Sequence, residues 1–256
     1  MPNTRFVYPT YSGIAALAQQ YDVPQGSCAV VYNSLPLLEM LSQDVQQVAR
    51  SIDLLNSDIL VVYPGRLATG KRFEKVAALA GAIQRKTEQR TKVIFCDFPS
   101  ADIPGQIYMQ MIETEGIKFG LEKGDLIFTS NLGYEQDFPR QGVFELFSLS
   151  NLFICPSYSE SFGLTVLEAA SRGNFLVLNE AVPALKELVD NLGAYFLRWD
   201  GRNFGYDTHE KYIPSEQAYY EEHGEIIVNM MRMITVCWLK PGYAQNITAH
   251  GYAAIS

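Results

Sequence analysis

Two cations five positions apart, Arg66 and Lys71, and two carboxylates with seven residues between them, Glu160 and Glu168, have the spacing that suits binding chemistry. Arg66 and Lys71 belong to PGRLATGK, which leads from an apolar run into a helical one. A guanidinium offers a planar fork to two phosphate oxygens, and an ammonium places a compact charge between two phosphates, so the pair suits a diphosphate. The same spacing also suits two solvated surface charges. Glu160 and Glu168 lie in PSYSESFGLTVLEAASRG, a polar loop that passes Phe162-Gly163 and enters a short apolar-faced helix. An anion over Gly163 would meet unpaired backbone N–H groups and the positive end of a helix dipole. A carboxylate beside phosphates is costly unless it accepts from donors, and sugar or ribose hydroxyls are such donors.

The elements that position these groups follow from periodicity. Uninterrupted apolar runs at Asp58–Tyr63, Thr91–Cys96, Asp125–Thr129, Asn151–Cys155, Asn174–Leu178 and Ala194–Leu197 read as buried strands. Helices are predicted between them at Lys71–Glu88, Ile107–Leu121, Gln141–Leu149, Gly163–Ser171 and Pro183–Asp190, with a turn at Pro64-Gly65-Arg66. Alternation of this kind implies an α/β fold, a doubly wound parallel sheet of Rossmann-like type, covering residues 57–200. Residues 1–56 read as a preamble: irregular through residue 27 apart from a helix at Ile14–Gln20, then a strand at Cys28–Tyr32 and helical spacing from Leu37 to Asn56. Residues 201–256 read as a helical extension, with a polar stretch Gly201–Tyr212, a helix Ser215–Leu239 whose Met and aromatic residues pack, and a short helix at Ala244–Ile255.

Ligands of an open parallel sheet gather beyond the carboxyl ends of its strands. The candidates there are Gly65, Arg66 and Lys71, then Ser130, Asn131 and Gly133. Ser157, Ser159, Glu160 and the Gly163 helix start follow, and last Asn179 and Glu180. Arg72, Lys75, Arg85 and Lys86 are expected to be solvated helix residues.

Composition narrows the function. A net charge of −8 argues against a general nucleic-acid binder, whose affinity rests on Lys and Arg. The four cysteines form no Cys-x-x-Cys and no metal-like spacing with the three histidines. Cys28, Cys96 and Cys155 lie in apolar runs, as small buried thiols do, and a reducing cytoplasm fits them. No run approaches the ~18 apolar residues of a membrane span. Asn246-Ile247-Thr248 is a formal glycosylation sequon that we read as chance.

The combination resembles the nucleotide-binding, C-terminal half of retaining glycosyltransferases of the two-Rossmann-domain (GT-B) fold, glycosyl transferases group 1 type. PGRLATGK looks like that family's phosphate loop, implying that Arg66 and Lys71 hold the donor diphosphate. LFICPSYSESFGLTVLEAASRG looks like its donor motif. The resemblance implies Glu160 on the transferred sugar, Glu168 on the ribose, and Ser161, Phe162, Gly163, Leu164 and Thr165 along the phosphates, with Gly65 and Asn131 also lining the site. VYN at Val31–Asn33 looks like the end of the interdomain connection. Arg72 departs from the pattern, since the family has Gly after the loop lysine. The implied reaction is hexose transfer from a nucleoside diphosphate sugar to an unknown acceptor with retention, with no metal and no other cofactor. The implied partners are that donor, the acceptor, and an acceptor domain upstream or on another chain. A donor-binding module inactive alone is the second reading, and an epimerase or phosphorylase of the same fold the third.

Overall fold

The computed structural model describes residues 4–31, 37–189, 193–199 and 215–238. Tyr32 and Asn33, the polar stretch Gly201–Tyr212, the helix expected at Ala244–Ile255 and the sequon at Asn246 all lie outside those residues. The chain divides into two compact units, Met1–Met40 and Leu41–Ser256.

In the first unit, β1 (Phe6–Tyr8), α1 (Ile14–Gln20) and β2 (Cys28–Val30) follow one another. The two strands pair in parallel, Phe6 against Cys28 and Tyr8 against Val30. The sequence expectation of an irregular start is therefore corrected for β1. Three residues next to Pro9 carry too little alternation to register as a strand, and only their pairing with β2 defines one. Leu37–Met40 is a single 3-10 turn.

The second unit begins with α2 (Gln43–Ser51), which buries Val45, Val48 and Ala49. The helical spacing from Leu37 to Asn56 is thus broken rather than continuous. Ser42 is extended at φ −58°, ψ 153°, and Asp53 adopts the left-handed region at φ 49°, so neither continues a helix.

Among the described residues, six strands form the sheet: β3 (Ile59–Arg66), β4 (Thr91–Phe98), β5 (Leu126–Phe128), β6 (Leu152–Cys155), β7 (Phe175–Asn179) and β8 (Tyr195–Leu197). Their order is β5-β4-β3-β6-β7-β8, and every neighbouring pair is parallel. The helices between them are α3 (Phe73–Thr87), α4 (Gly105–Phe119), α5 (Arg140–Leu149), α6 (Leu164–Ser171) and α7 (Pro183–Val189), with α8 (Glu216–Trp238) after β8. This is the doubly wound α/β sheet expected from the alternation.

Two local expectations change. Pro64-Gly65-Arg66 is strand, because β4 continues beside it and pairs Pro64 with Cys96, Gly65 with Asp97 and Arg66 with Phe98. A proline is tolerated there because β6 pairs with β3 only at Val61, so the Pro64 nitrogen, on the β6 side of the strand, has no ladder bond to donate to. The helix expected from Lys71 begins at Phe73, after a 3-10 turn at Thr69–Lys71.

Helix α3 is buried almost all round, from Phe73 through Ile83, because it packs against both α4 and α8. Its small residues allow that closeness. A Cβ on Gly81 would stand 2.7 Å from the Gly116 carbonyl oxygen of α4. Lys75 closes the α8 side through Glu216, at 2.6 Å. On α8, Tyr219, Tyr220, Ile227 and Val228 are buried as packing residues, whereas Met230 and Met233 are exposed.

Candidate functional site

The strand order reverses between β3 and β6: chain progress runs outward through β4 and β5 on one side and through β7 and β8 on the other. A crevice opens at the carboxyl ends of strands where such a reversal occurs. The loop after β3 and the loop after β6 are the two that meet there. LATGK, directly after Arg66, supplies the first and PSYSESFG the second.

The two loops are joined at several points. The Tyr158 amide donates to the Gly70 carbonyl at 3.0 Å. Tyr63, inside β3, donates its hydroxyl to the Lys71 carbonyl at 2.9 Å and lies 3.1 Å from the Ser157 hydroxyl. With its single proton given to Lys71, Tyr63 accepts from Ser157. Burial holds the Tyr63 phenol well above its ordinary pKa, so it stays a neutral donor. Asn179, at the end of β7, fixes the second loop by donating to the Ser157 carbonyl at 2.9 Å and accepting from the Ala181 amide at 3.0 Å.

Across this junction Lys71 Nζ meets Glu160 Oε1 at 2.5 Å, with the side chains 32% and 13% exposed. A cation from one loop and a carboxylate from the other thus face each other at the switch point. Cys155 lies just beneath. Burial first, then the Glu160 charge, push its thiol up to about 11, so it is no nucleophile at neutral pH.

Gly163 starts α6 at φ 78°, ψ 47°, a left-handed conformation that favours glycine. A Cβ there would also sit 3.1 Å from a Leu185 methyl. The Gly163 carbonyl accepts from the Val166 amide at 2.9 Å, while the amides at the very start of α6 lack intrahelical partners. Tyr158, Phe162 and Leu164 are exposed along the same loop and helix start. Glu168 lies on α6 and pairs with Arg140, at the start of α5, at 3.0 Å.

The structure therefore brings Lys71 and Glu160 together and sets Gly163, Ser161, Phe162, Leu164 and Thr165 along the same loop and helix start. Gly65 and Arg66 end β3, with Arg66 exposed. Asn131 lies apart, exposed in the turn after β5, two strands from β3. Among the described residues no hydrogen bond joins it to the other candidates. Beside it, buried Asp97 at the end of β4 accepts from the Ser130 amide at 3.1 Å and lies 3.4 Å from the Thr129 hydroxyl.

The expectation that Arg72 and Lys75 are solvated is corrected. Lys75 is the α8 tether described above. Arg72 is only 5% exposed, and its guanidinium lies 4.3 Å from the centre of the Tyr158 ring. Its backbone is left-handed, at φ 57°, ψ 47°, which costs a non-glycine residue about 1–2 kcal/mol. Arg85 and Lys86 are exposed as expected. Sequence reasoning missed Tyr63, Asp97, Arg140 and Tyr158. Tyr63 and Asp97 are hidden in apolar strand runs, although a charged residue ending VIFC was a usable signal. Among the described residues no three His, Cys, Asp or Glu side chains gather to hold a metal ion, and no helix is long and apolar enough to cross a membrane.

Comparison with known proteins gives this geometry a family. The profile of glycosyl transferases group 1 matches residues 45–197. No curated protein matches the chain significantly. Among solved structures, a glycosyltransferase from Rickettsia africae ESF-5 is similar with a TM-score of 0.52 at 12% identity, over 98% of this chain and 58% of that one. An α,α-trehalose-phosphate synthase (UDP-forming) from Burkholderia xenovorans, in complex with glucose-6-phosphate, gives 0.52 at 16% identity, over 87% of this chain and 46% of that one. A trehalose-6-phosphate protein from E. coli bound with UDP-2-fluoro glucose gives 0.51 at 15% identity, over the same shares. The chain spans about half the length of these structures, and at such identities the likeness is one of fold. With the family profile spanning the sheet and both loops of the β3–β6 crevice, this chain belongs to the glycosyl transferases group 1 family.

Proposed function

We propose that the β3–β6 crevice is the donor site of a retaining hexosyltransferase, and that this chain is the nucleotide-sugar-binding half of it. The observation that carries the reading is the Lys71–Glu160 pair at the sheet's switch point. It joins a cation suited to phosphate and a carboxylate suited to hydroxyls across the two loops of the crevice.

On donor entry Lys71 and Arg66 turn to the diphosphate, the amides at the start of α6 take up its remaining oxygens, and Glu160 accepts from hydroxyls of the transferred sugar. Glu168 accepts from the ribose hydroxyls. In the reaction the acceptor hydroxyl oxygen bonds to the anomeric carbon on the face the leaving group departs from. The bond from that carbon to the diphosphate oxygen breaks, and the acceptor's proton goes to the leaving phosphate. Charge grows on the diphosphate in that step, and fixed cations and amides aimed at it stabilise the transition state. Side chains and amides supply this stabilisation without a metal. Gly65 lies beside the diphosphate at the end of β3, and Asn131, two strands out, is reached by the far end of the nucleotide.

Calorimetric titration of the chain with UDP, GDP and ADP, followed by a transfer assay that records the anomeric configuration of the product, tests the reading. Binding that Lys71→Ala weakens at least tenfold supports it. No binding of any nucleotide, or binding indifferent to Lys71, refutes it. The second reading is a donor-binding module that needs a separate acceptor domain. Binding without turnover, with turnover restored by an added acceptor domain, distinguishes it.

A further inference from the structure

We propose that Arg72 is a positioning residue of the donor site, acting through Tyr158 to hold the β6 loop, and with it Glu160, against the β3 loop. The inference rests on the reading of the crevice as a donor site and adds a residue which that reading does not use.

Three observations carry it. First, Arg72 occupies a left-handed backbone position, φ 57° and ψ 47°, between the Thr69–Lys71 turn and α3. Glycine takes that conformation without strain, so a long side chain there is retained against a local cost. Second, the side chain is buried, at 5% exposure, whereas the ring it covers, Tyr158, is 60% exposed. Arg72 is thus largely closed off from solvent, and one of its contacts is with the loop that lines the crevice. Third, the contact reinforces a zipper. Gly70 accepts from the Tyr158 amide, Lys71 accepts from Tyr63, and Tyr63 lies against Ser157. Residues 70–72 of one loop therefore hold residues 157–158 of the other. Lys71 lies between Gly70 and Arg72, and Glu160 lies two residues past Tyr158, so a loosened anchor would act on the Lys71–Glu160 pair.

A guanidinium stacked on an aromatic face, partly shielded from water, is an effective clamp of this kind. Placed one residue after the proposed phosphate cation, it fixes the two functional loops in register before any ligand arrives. Preorganisation of this sort lowers the ordering cost of binding.

The test uses the full chain, hydrogen exchange of the Pro156–Gly163 segment without ligand, and calorimetric titration with UDP. Arg72→Gly keeps the backbone conformation and removes the guanidinium from Tyr158 together with the side chain's other contacts, which Tyr158→Leu leaves in place. It is expected to speed exchange of the Tyr158 amide and weaken UDP binding, each about tenfold, the loss of one shielded cation–π contact. The urea midpoint of Tyr158→Leu should stay near that of the parent, because the ring it removes is largely exposed. Tyr158→Leu, at an exposed position that cannot unfold the core, should weaken UDP binding to the same degree, and the double variant no further. Arg72→Lys should recover part of the loss. If Arg72→Gly and Tyr158→Leu leave exchange and UDP affinity unchanged while Lys71→Ala weakens UDP binding, the positioning role is overturned and the donor site stands. Additive losses in the double variant would also overturn it. If Lys71→Ala leaves UDP affinity unchanged, the donor-site reading falls and this inference with it.

Discussion

The Lys71–Glu160 pair makes a prediction with opposite signs for its two members. At 2.5 Å, two unit charges attract by about 7 kcal/mol at an effective dielectric of ~20. Glu160 is nearly covered and Lys71 about one-third exposed, so desolvation and water cancel most of that attraction. A net coupling of about 1–2 kcal/mol remains. Binding a diphosphate draws Lys71 away from Glu160, and the new charge-assisted contact contributes about 2 kcal/mol. Lys71→Met should therefore weaken UDP binding about 30-fold. Glu160→Gln leaves Lys71 uncommitted, so UDP should bind about fivefold more tightly. A UDP-sugar should lose that advantage, because Glu160 no longer accepts from the sugar hydroxyls. Isothermal titration of both variants with UDP and UDP-glucose, beside urea midpoints for the double-mutant cycle, measures each quantity. If Glu160→Gln weakens UDP binding as much as Lys71→Met, the pair is a structural brace and the reasoning is refuted.

Three further outcomes follow from the same geometry. Gly163→Ala forces a side chain into a left-handed position 3.1 Å from Leu185, and should lower stability by about 1–2 kcal/mol in urea unfolding while weakening UDP binding. Asp125 is opposed by burial, but Lys92 at 2.8 Å, Gln84 and the Glu122 amide outweigh it and hold the carboxyl below its usual range. Its stabilisation is complete above the ordinary carboxylate pKa near ~4 and lost as pH falls through the lowered value. Asp125→Ala should cost about 3 kcal/mol at pH 7 and flatten the acid limb of the stability–pH curve, read by urea midpoints from pH 7 to 3. On the proposed function, excess EDTA should leave the affinity for UDP within twofold, and a loss greater than about tenfold would point to a bound metal.

Much of the sheet was legible because its strands are buried on both faces and therefore appear as unbroken apolar runs. DILVVY, TKVIFC, NLFIC and NFLVL all begin strands within one residue of their expected places. Their ends were less legible. β3 runs on through Pro64-Gly65-Arg66 because a neighbour continues to pair with it, and that neighbour is 32 residues away in the register of Gly65 with Asp97. β1 is three residues long and exists only through β2. The split of the Leu37–Asn56 spacing turned on the conformations of Ser42 and Asp53, which apolar periodicity does not report.

The types and spacings of Arg66, Lys71, Glu160, Gly163 and Glu168 are properties of the chain alone. They were enough to mark a strand-to-helix phosphate loop and a helix start with two carboxylates, because local geometry follows from local residues. Which loop faces which was decided by the sheet order, since the meeting of β3 with β6 depends on pairing across some ninety residues. That pairing turned Lys71 and Glu160 from two separate candidates into one ion pair. It also took Arg72 from the solvated helix surface to a buried stack on Tyr158, because burial is a property of what packs against a residue.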